Sequence, residues 1–117
     1  MTSRHDISKD LIRGVTDGII LNILSQGDSY GYQMVQQVTE LSDGHYEINE
    51  ATLYTVFRRL SKNGLIDSYY GNETQGGRRK YYHITQAGSA ELTQFHKDWQ
   101  FAKETITQLT TGVLKHD

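Results

Sequence analysis

Seven apolar residues near the C-terminus, Leu92, Phe95, Trp99, Ala102, Ile106, Leu109 and Val113, follow one another at intervals of 3, 4, 3, 4, 3 and 4. An a/d seam kept over that distance requires a long, uninterrupted helix. A sustained 3.5-residue period also calls for another long helix to pack against, often one from a second subunit. The rest of the chain must therefore fit round a mainly helical plan. No proline interrupts it, and the 11 glycines supply the punctuation. With 117 residues there is room for one domain and a modest core.

Periodicity predicts three shorter helices ahead of the seam. Residues 1–7 have no pattern and are expected to form a flexible arm. Ser8 suits the N-cap of a first helix that carries Leu11, Ile12, Val15, Ile19, Ile20, Ile23 and Leu24 and stops at Gly27-Asp28. Gly14 and Gly18 lie inside it; each costs about 1 kcal/mol against alanine. They mark either a close approach or a plain loss of propensity. Ser29 can cap a second helix with Met34, Val35, Val38 and Leu41 on its apolar stripe, ended by Ser42-Asp43-Gly44. After a short extended link through Tyr46 and Ile48, Asn49 is a strong N-cap for a third helix. That helix, 49–63, buries Leu53, Val56, Phe57 and Leu60, and Gly64 stands where a C′ glycine belongs. Two β-rich runs, 65–70 and 80–84, flank a polar, basic stretch and read as a hairpin with a long tip at 71–79. Thr85 can cap the seam helix.

This order defines a mainly α fold with a small β-hairpin: a winged helix-turn-helix over 8–84, then a long C-terminal dimerisation helix over 85–117. Charge agrees with the plan. Residues 49–83 hold six cations against Glu50, Asp67 and Glu73, a net +3, which leaves −5 on the remainder of a chain at −2. The third helix opposes its apolar stripe with Thr52, Thr55, Arg58, Arg59 and Lys62. Such a face suits a major groove about 12 Å wide. Arg78, Arg79 and Lys80 at the hairpin can supply charge to a neighbouring phosphate backbone, with Gly76-Gly77 allowing close approach. The plain alternative is a solvated helix face and a floppy loop. A further alternative is a winged-helix interaction module that uses its heptad seam to hold a partner protein and reads no DNA.

Several strings resemble the PadR family of bacterial transcriptional repressors, in particular its small subfamily with one C-terminal helix. They are Tyr30-Gly31-Tyr32, the run Asn49 to Tyr54 followed by Arg58-Arg59-Leu60, Gly64-Leu65-Ile66, and the run Gln75 to Tyr82 leading to Thr85. The resemblance extends over residues 11–109. It implies a homodimer on an inverted repeat of double-stranded promoter DNA, with ATGT/ACAT-type half-sites. Thr52, Tyr54, Thr55 and Arg58 match positions facing DNA, and Arg59 or Lys62 would reach phosphate. Arg78 and Arg79, beside Gly77 and Lys80, match the wing, while Gly31 and Tyr32 match positions near the DNA backbone. Glu50 sits at the mouth of the recognition helix, where an acid favours the helix dipole.

Trp99 is the sole tryptophan and lies on the seam with Phe95 and Ala102. It is either a packing aromatic or, near a twofold axis, one half of a paired platform for a flat aromatic ligand. The resemblance to the lactococcal-type multidrug regulators implies the second. It also implies a pocket lined from the first helix by Leu11, Gly14, Asp17 and Gly18. Lys103 stands one turn beyond Trp99, where a carboxylate would suit a cationic drug. A neutral or anionic aromatic inducer is therefore an equal alternative.

Other chemistry finds no frame. With no cysteine there is no disulfide, thiolate metal site or cysteine nucleophile, which fits a cytoplasmic protein. The five histidines show no metal-ligand spacing, and neither a nucleophile elbow nor a phosphate-binding loop is present. No enzyme activity, cofactor, metal, signal peptide or membrane partner is expected. The paired tyrosines at 69–70 and 81–82 read as cross-strand packing on the hairpin.

Overall fold

A computed structural model describes residues 6–72 and 77–115. Eight elements follow in order: α1 (Lys9–Arg13), α2 (Thr16–Ser25), β1 (Ser29–Tyr30), α3 (Gly31–Leu41), α4 (Glu50–Lys62), β2 (Ile66–Tyr70), β3 (Lys80–Ile84) and α5 (Gln86–Thr111). This is a winged helix-turn-helix with a long C-terminal helix, as the residue pattern predicts.

Three local expectations need correction. The first helix is two helices. Ser8 does cap it, accepting from the Asp10 amide, but α1 ends at Gly14. Val15 leaves helical geometry at φ −121°, and the Thr16 hydroxyl donates to the Arg13 carbonyl across the break. A glycine followed by a β-branched residue is a weak place to carry a helix through. Second, Ser29 is a strand residue, and α3 begins at Gly31 with Tyr30 as N-cap. The buried Ser29 hydroxyl reaches along α3 to Gln33 and Gln37 instead. Third, Ser29 and Tyr30 pair with Tyr82 and Tyr81, so the hairpin belongs to a three-stranded sheet in the order β1-β3-β2. Of the expected arm, residues 1–5 lie outside the described residues, and the Ile7 amide donates to the His45 carbonyl at 3.0 Å.

Other signals behave as their chemistry requires. Asn49 accepts from the Thr52 amide at 2.8 Å. Gly64 adopts φ +73°, and the Leu65 amide returns to the Leu60 carbonyl, closing α4. Thr85 accepts from the Gly88 amide at 3.0 Å and donates to the Gly64 carbonyl at 2.8 Å, so one hydroxyl caps α5 and ties it to the end of α4.

The core joins every layer. Ile20, Leu21 and Leu24 of α2, Met34 and Val38 of α3, and Leu53, Val56, Phe57 and Leu60 of α4 are buried together. Tyr82 lays its ring on Phe57, 3.8 Å between centroids and 16° from parallel, bonding the sheet to α4. Leu92 of α5 completes the cluster. Beyond Leu92 no residue of α5 is buried.

Candidate nucleic-acid interface

The polar face of α4 is set by its apolar one. Phe57, seated under Tyr82, leaves Tyr54, Arg58 and Ser61 on the side of the wing. There a groove runs between α4 and β3, lined by Tyr54, Phe57, Arg58, Ser61, Lys62, Lys80 and Tyr82. Its lining carries three cations and no acid. The expected residues Tyr54, Arg58, Lys62 and Lys80 thus come together on one surface. Lys80 places its ammonium 5.7 Å from the Tyr82 ring centroid.

Beside that groove the side chains of α4 are partly pre-oriented. The Thr55 hydroxyl donates to the Ala51 carbonyl at 2.9 Å and accepts from Arg58 Nη2 at 3.2 Å. Arg58 therefore lies along the exposed face. Tyr54 meets Phe57 edge-on at 5.7 Å, and its hydroxyl rests on Gly31, where an added Cβ would stand 2.5 Å away. That contact sets α4 against the start of α3, beside the exposed Tyr32. Thr52 is half-buried, its amide held by Asn49.

Arg59 does something different from its neighbour. It turns to the opposite side of α4 and forms a two-point ion pair with Asp17 of α2, Nε to Oδ2 at 3.2 Å and Nη2 to Oδ1. The hydrogen bonds it donates to this carboxylate hold its guanidinium above even the usual arginine range. One residue expected at phosphate and one expected at the inducer pocket thus occupy each other.

At the wing, Gly77 takes φ +83°, a left-handed conformation that glycine adopts freely. The Gly71 amide donates to the Arg79 carbonyl at 2.8 Å and carries the hairpin one step past its strands. Arg79 sets its guanidinium 4.7 Å from the centroid of Tyr30, a cation–π contact that anchors the wing's stem. Arg78 is exposed. Gly76, like residues 73–75 of the tip, lies outside the described residues.

The residues expected at a ligand pocket and dimer seam divide along α5. Leu92 belongs to the protomer's own core and is 8% exposed. Phe95 packs on Gly18, where an added Cβ would lie 2.6 Å from the ring. Gly18 is thus a close approach, whereas Gly14 has nothing within 4 Å. Ala102 is half-buried, Trp99 is 45% exposed, and Ile106 and Leu109 are exposed. Lys103 is exposed, as is Leu11 on α1. Val113 lies past the end of α5, because the helix stops at Thr111.

Sequence reasoning missed two contributors. Ser61 completes the groove, and a lone serine gives no signal of that. Gly88 lets α5 approach Leu65, just ahead of β2, since a Cβ there would meet the Leu65 carbonyl at 2.1 Å. Among the described residues no group of three or more His, Asp or Glu could hold a metal ion, and no helix is long and apolar enough to cross a membrane.

Comparison with known proteins agrees with the architecture. Residues 20–94 match the transcriptional regulator PadR-like family. An uncharacterized protein of Lysinibacillus sphaericus is 42% identical over 107 residues, covering 92% of this chain and 98% of that protein. A transcriptional regulator from Clostridium thermocellum superposes with a TM-score of 0.81 at 47% identity, over 87% of this chain and 96% of its own. A PadR family transcription regulator from Clostridium difficile gives 0.72 at 38% identity, over 83% and 99%. The matched segment runs from within α2 through α3, α4 and the wing to the root of α5, and this chain belongs to the PadR-like family of transcriptional regulators.

Proposed function

We propose that the chain is a dimeric repressor that binds an inverted-repeat promoter operator through α4 and the wing. The observation that carries this reading is the groove between α4 and β3, whose lining has Arg58, Lys62 and Lys80 and no acid. A surface of one sign flanking a recognition helix is what a phosphate backbone requires. Tyr54, Thr55 and Arg58 are the base-facing candidates; Tyr32, Thr52, Lys62, Gly77, Arg78, Arg79 and Lys80 supply positioning contacts. Dimerisation through α5 is supported by Trp99, Ile106 and Leu109, which stay exposed on a helix whose root is already fixed to the core.

The inducer is a flat aromatic molecule held between two copies of Trp99. Asp17 is already satisfied by Arg59, and Lys103 lies one turn from Trp99. Both features favour a neutral or anionic ligand over a cation. Ligand entry between the α5 helices would alter the spacing of the two α4 helices, which helix-turn-helix operators fix at about 34–36 Å. Ligand and DNA would then weaken each other by the same factor.

Fluorescence anisotropy of a labelled duplex from upstream of the protein's own gene, titrated at two salt concentrations, tests the reading. The expected result is sequence-dependent binding that falls steeply with salt. Binding no better than to a scrambled duplex, across the wider promoter as well, would overturn it and give the lead to an interaction module.

A further inference from the structure

On the outer face of the sheet, away from the groove, three polar side chains from three segments meet. Asp28 lies in the turn between α2 and β1. Its carboxylate accepts from the Tyr69 hydroxyl of β2 at 2.5 Å through Oδ2, and bonds His83 Nδ1 of β3 at 2.8 Å through Oδ1. Tyr69 also stacks on Tyr81 at 5.6 Å, and Tyr81 meets Tyr30 edge-on at 5.4 Å. Tyr30, Tyr81 and Tyr69 are register partners across the three strands. Asp67 is the cross-strand partner of His83 and adds a second negative charge beside the imidazole.

We propose that Asp28, Tyr69 and His83 form a pH-dependent clasp that fixes the wing hairpin to the helix-turn-helix unit and tightens below neutral pH. Asp28 belongs to the segment that leads through β1 into α3, whereas Tyr69 and His83 belong to the hairpin. A bond from both strands to one carboxylate restrains the hairpin's tilt. The restraint is strongest when the imidazole is charged, because protonation adds the attraction of an ion pair to a hydrogen bond whose acceptor is already ionised.

The titration behaviour supports the geometry. The hydrogen bond to Asp28, helped by the charges of Asp28 and Asp67, raises the His83 pKa above its ordinary value. The bonds from Tyr69 and His83 lower that of Asp28, and the same carboxylate pushes Tyr69 up to about 12. A raised imidazole pKa means the contribution is complete below the ordinary value of about 6.5 and fades as pH rises through the elevated one. Asp28, held below its own ordinary value, keeps its charge across that window and loses its contribution only as pH falls through the lowered value. Tyr69 stays a donor throughout.

The clasp itself is tested on the full chain by NMR. The His83 imidazole should titrate above about 6.5 and fall towards that value in Asp28→Asn, where Asp67 alone remains to hold it up. Protection factors of the amides of residues 80–84, corrected for the intrinsic pH dependence of amide exchange, should be higher at pH 6 than at pH 8, and this difference should vanish in His83→Gln. A His83 midpoint at or below the ordinary value, or equal loss of protection in wild type and His83→Gln, would overturn the proposal.

Its consequence for DNA rests on the proposed function. Operator affinity at fixed salt should gain roughly two- to five-fold from pH 8 to pH 6 relative to His83→Gln, the range open to an exposed pair. Asp28→Asn separates a clasp from mere added charge. A bare imidazolium acting on phosphate would keep or enlarge the gain in that variant, whereas a clasp loses it. If no duplex binds at any pH, the repressor reading fails and the exchange measurement still decides the clasp.

Discussion

Gly14 and Gly18 stand four residues apart in what the letters present as a single helix, and their roles divide only when α5 arrives. Gly18 has the ring of Phe95 against its Cα; Gly14 has open space and marks the end of α1. Gly18→Ala forces Phe95 aside and is expected to destabilise the protein by about 1–3 kcal/mol, the usual cost of overpacking. Gly14→Ala, at φ −74°, is expected to be neutral or to stabilise by up to about 1 kcal/mol. Urea unfolding of the two variants checks both, and equal effects would contradict the assigned contacts. The sequence signals a possible approach at either glycine. It has no means to choose, because the partner residue lies 77 positions away from Gly18 and their meeting depends on the angle of α5.

At the scale of elements, α4 shows why adjacent identical residues differ. Arg58 faces the groove shared with the wing, and Arg59 faces α2. Arg58→Ala should weaken operator binding and, if its contact is to phosphate, lower the salt slope by about 1. Arg59→Ala should leave the slope unchanged. It should cost at most about 1 kcal/mol of stability, since the ion pair is nearly half exposed and screened by water. Anisotropy across a salt series together with urea unfolding separates these outcomes. Thr85 gives a second element-level case. Its hydroxyl both caps α5 and donates to Gly64, so Thr85→Ala should lower stability by about 1–2 kcal/mol in the same unfolding assay, towards the upper end for a cap. The caps Ser8, Asn49 and Thr85, the apolar stripes and the turn at Gly64 were all legible, because each is a local signal. The two-residue strand β1 was not. Ser29 and Tyr30 carry too few letters for alternation to register, and their pairing comes from β3, which lies over fifty residues further on.

For the whole molecule the decisive feature is the heptad seam near the C-terminus. Its period predicts one continuous packing surface, yet the protomer consumes the first turns. Leu92 enters the core and Phe95 covers Gly18, so the stretch from Trp99 onward is the part that the protomer leaves largely uncovered. Periodicity reports that a face is apolar and cannot say whose atoms will cover it. The exposed part offers a clean separation of fold from assembly. Ile106 and Leu109 are 54% and 78% exposed, so replacing both by aspartate removes nothing from the core. The double variant Ile106→Asp/Leu109→Asp is expected to keep its helical circular dichroism and to keep its winged helix folded. It should sediment as a monomer, and the wild type is expected to sediment as a dimer. Operator affinity should drop by well over ten-fold, because an inverted repeat rewards two linked α4 helices and a monomer reaches only one half-site. A variant that stays dimeric would move the interface away from α5. A monomer that retains full operator affinity would instead mean that the two half-sites are read independently, and the route by which a ligand between the α5 helices releases DNA would close.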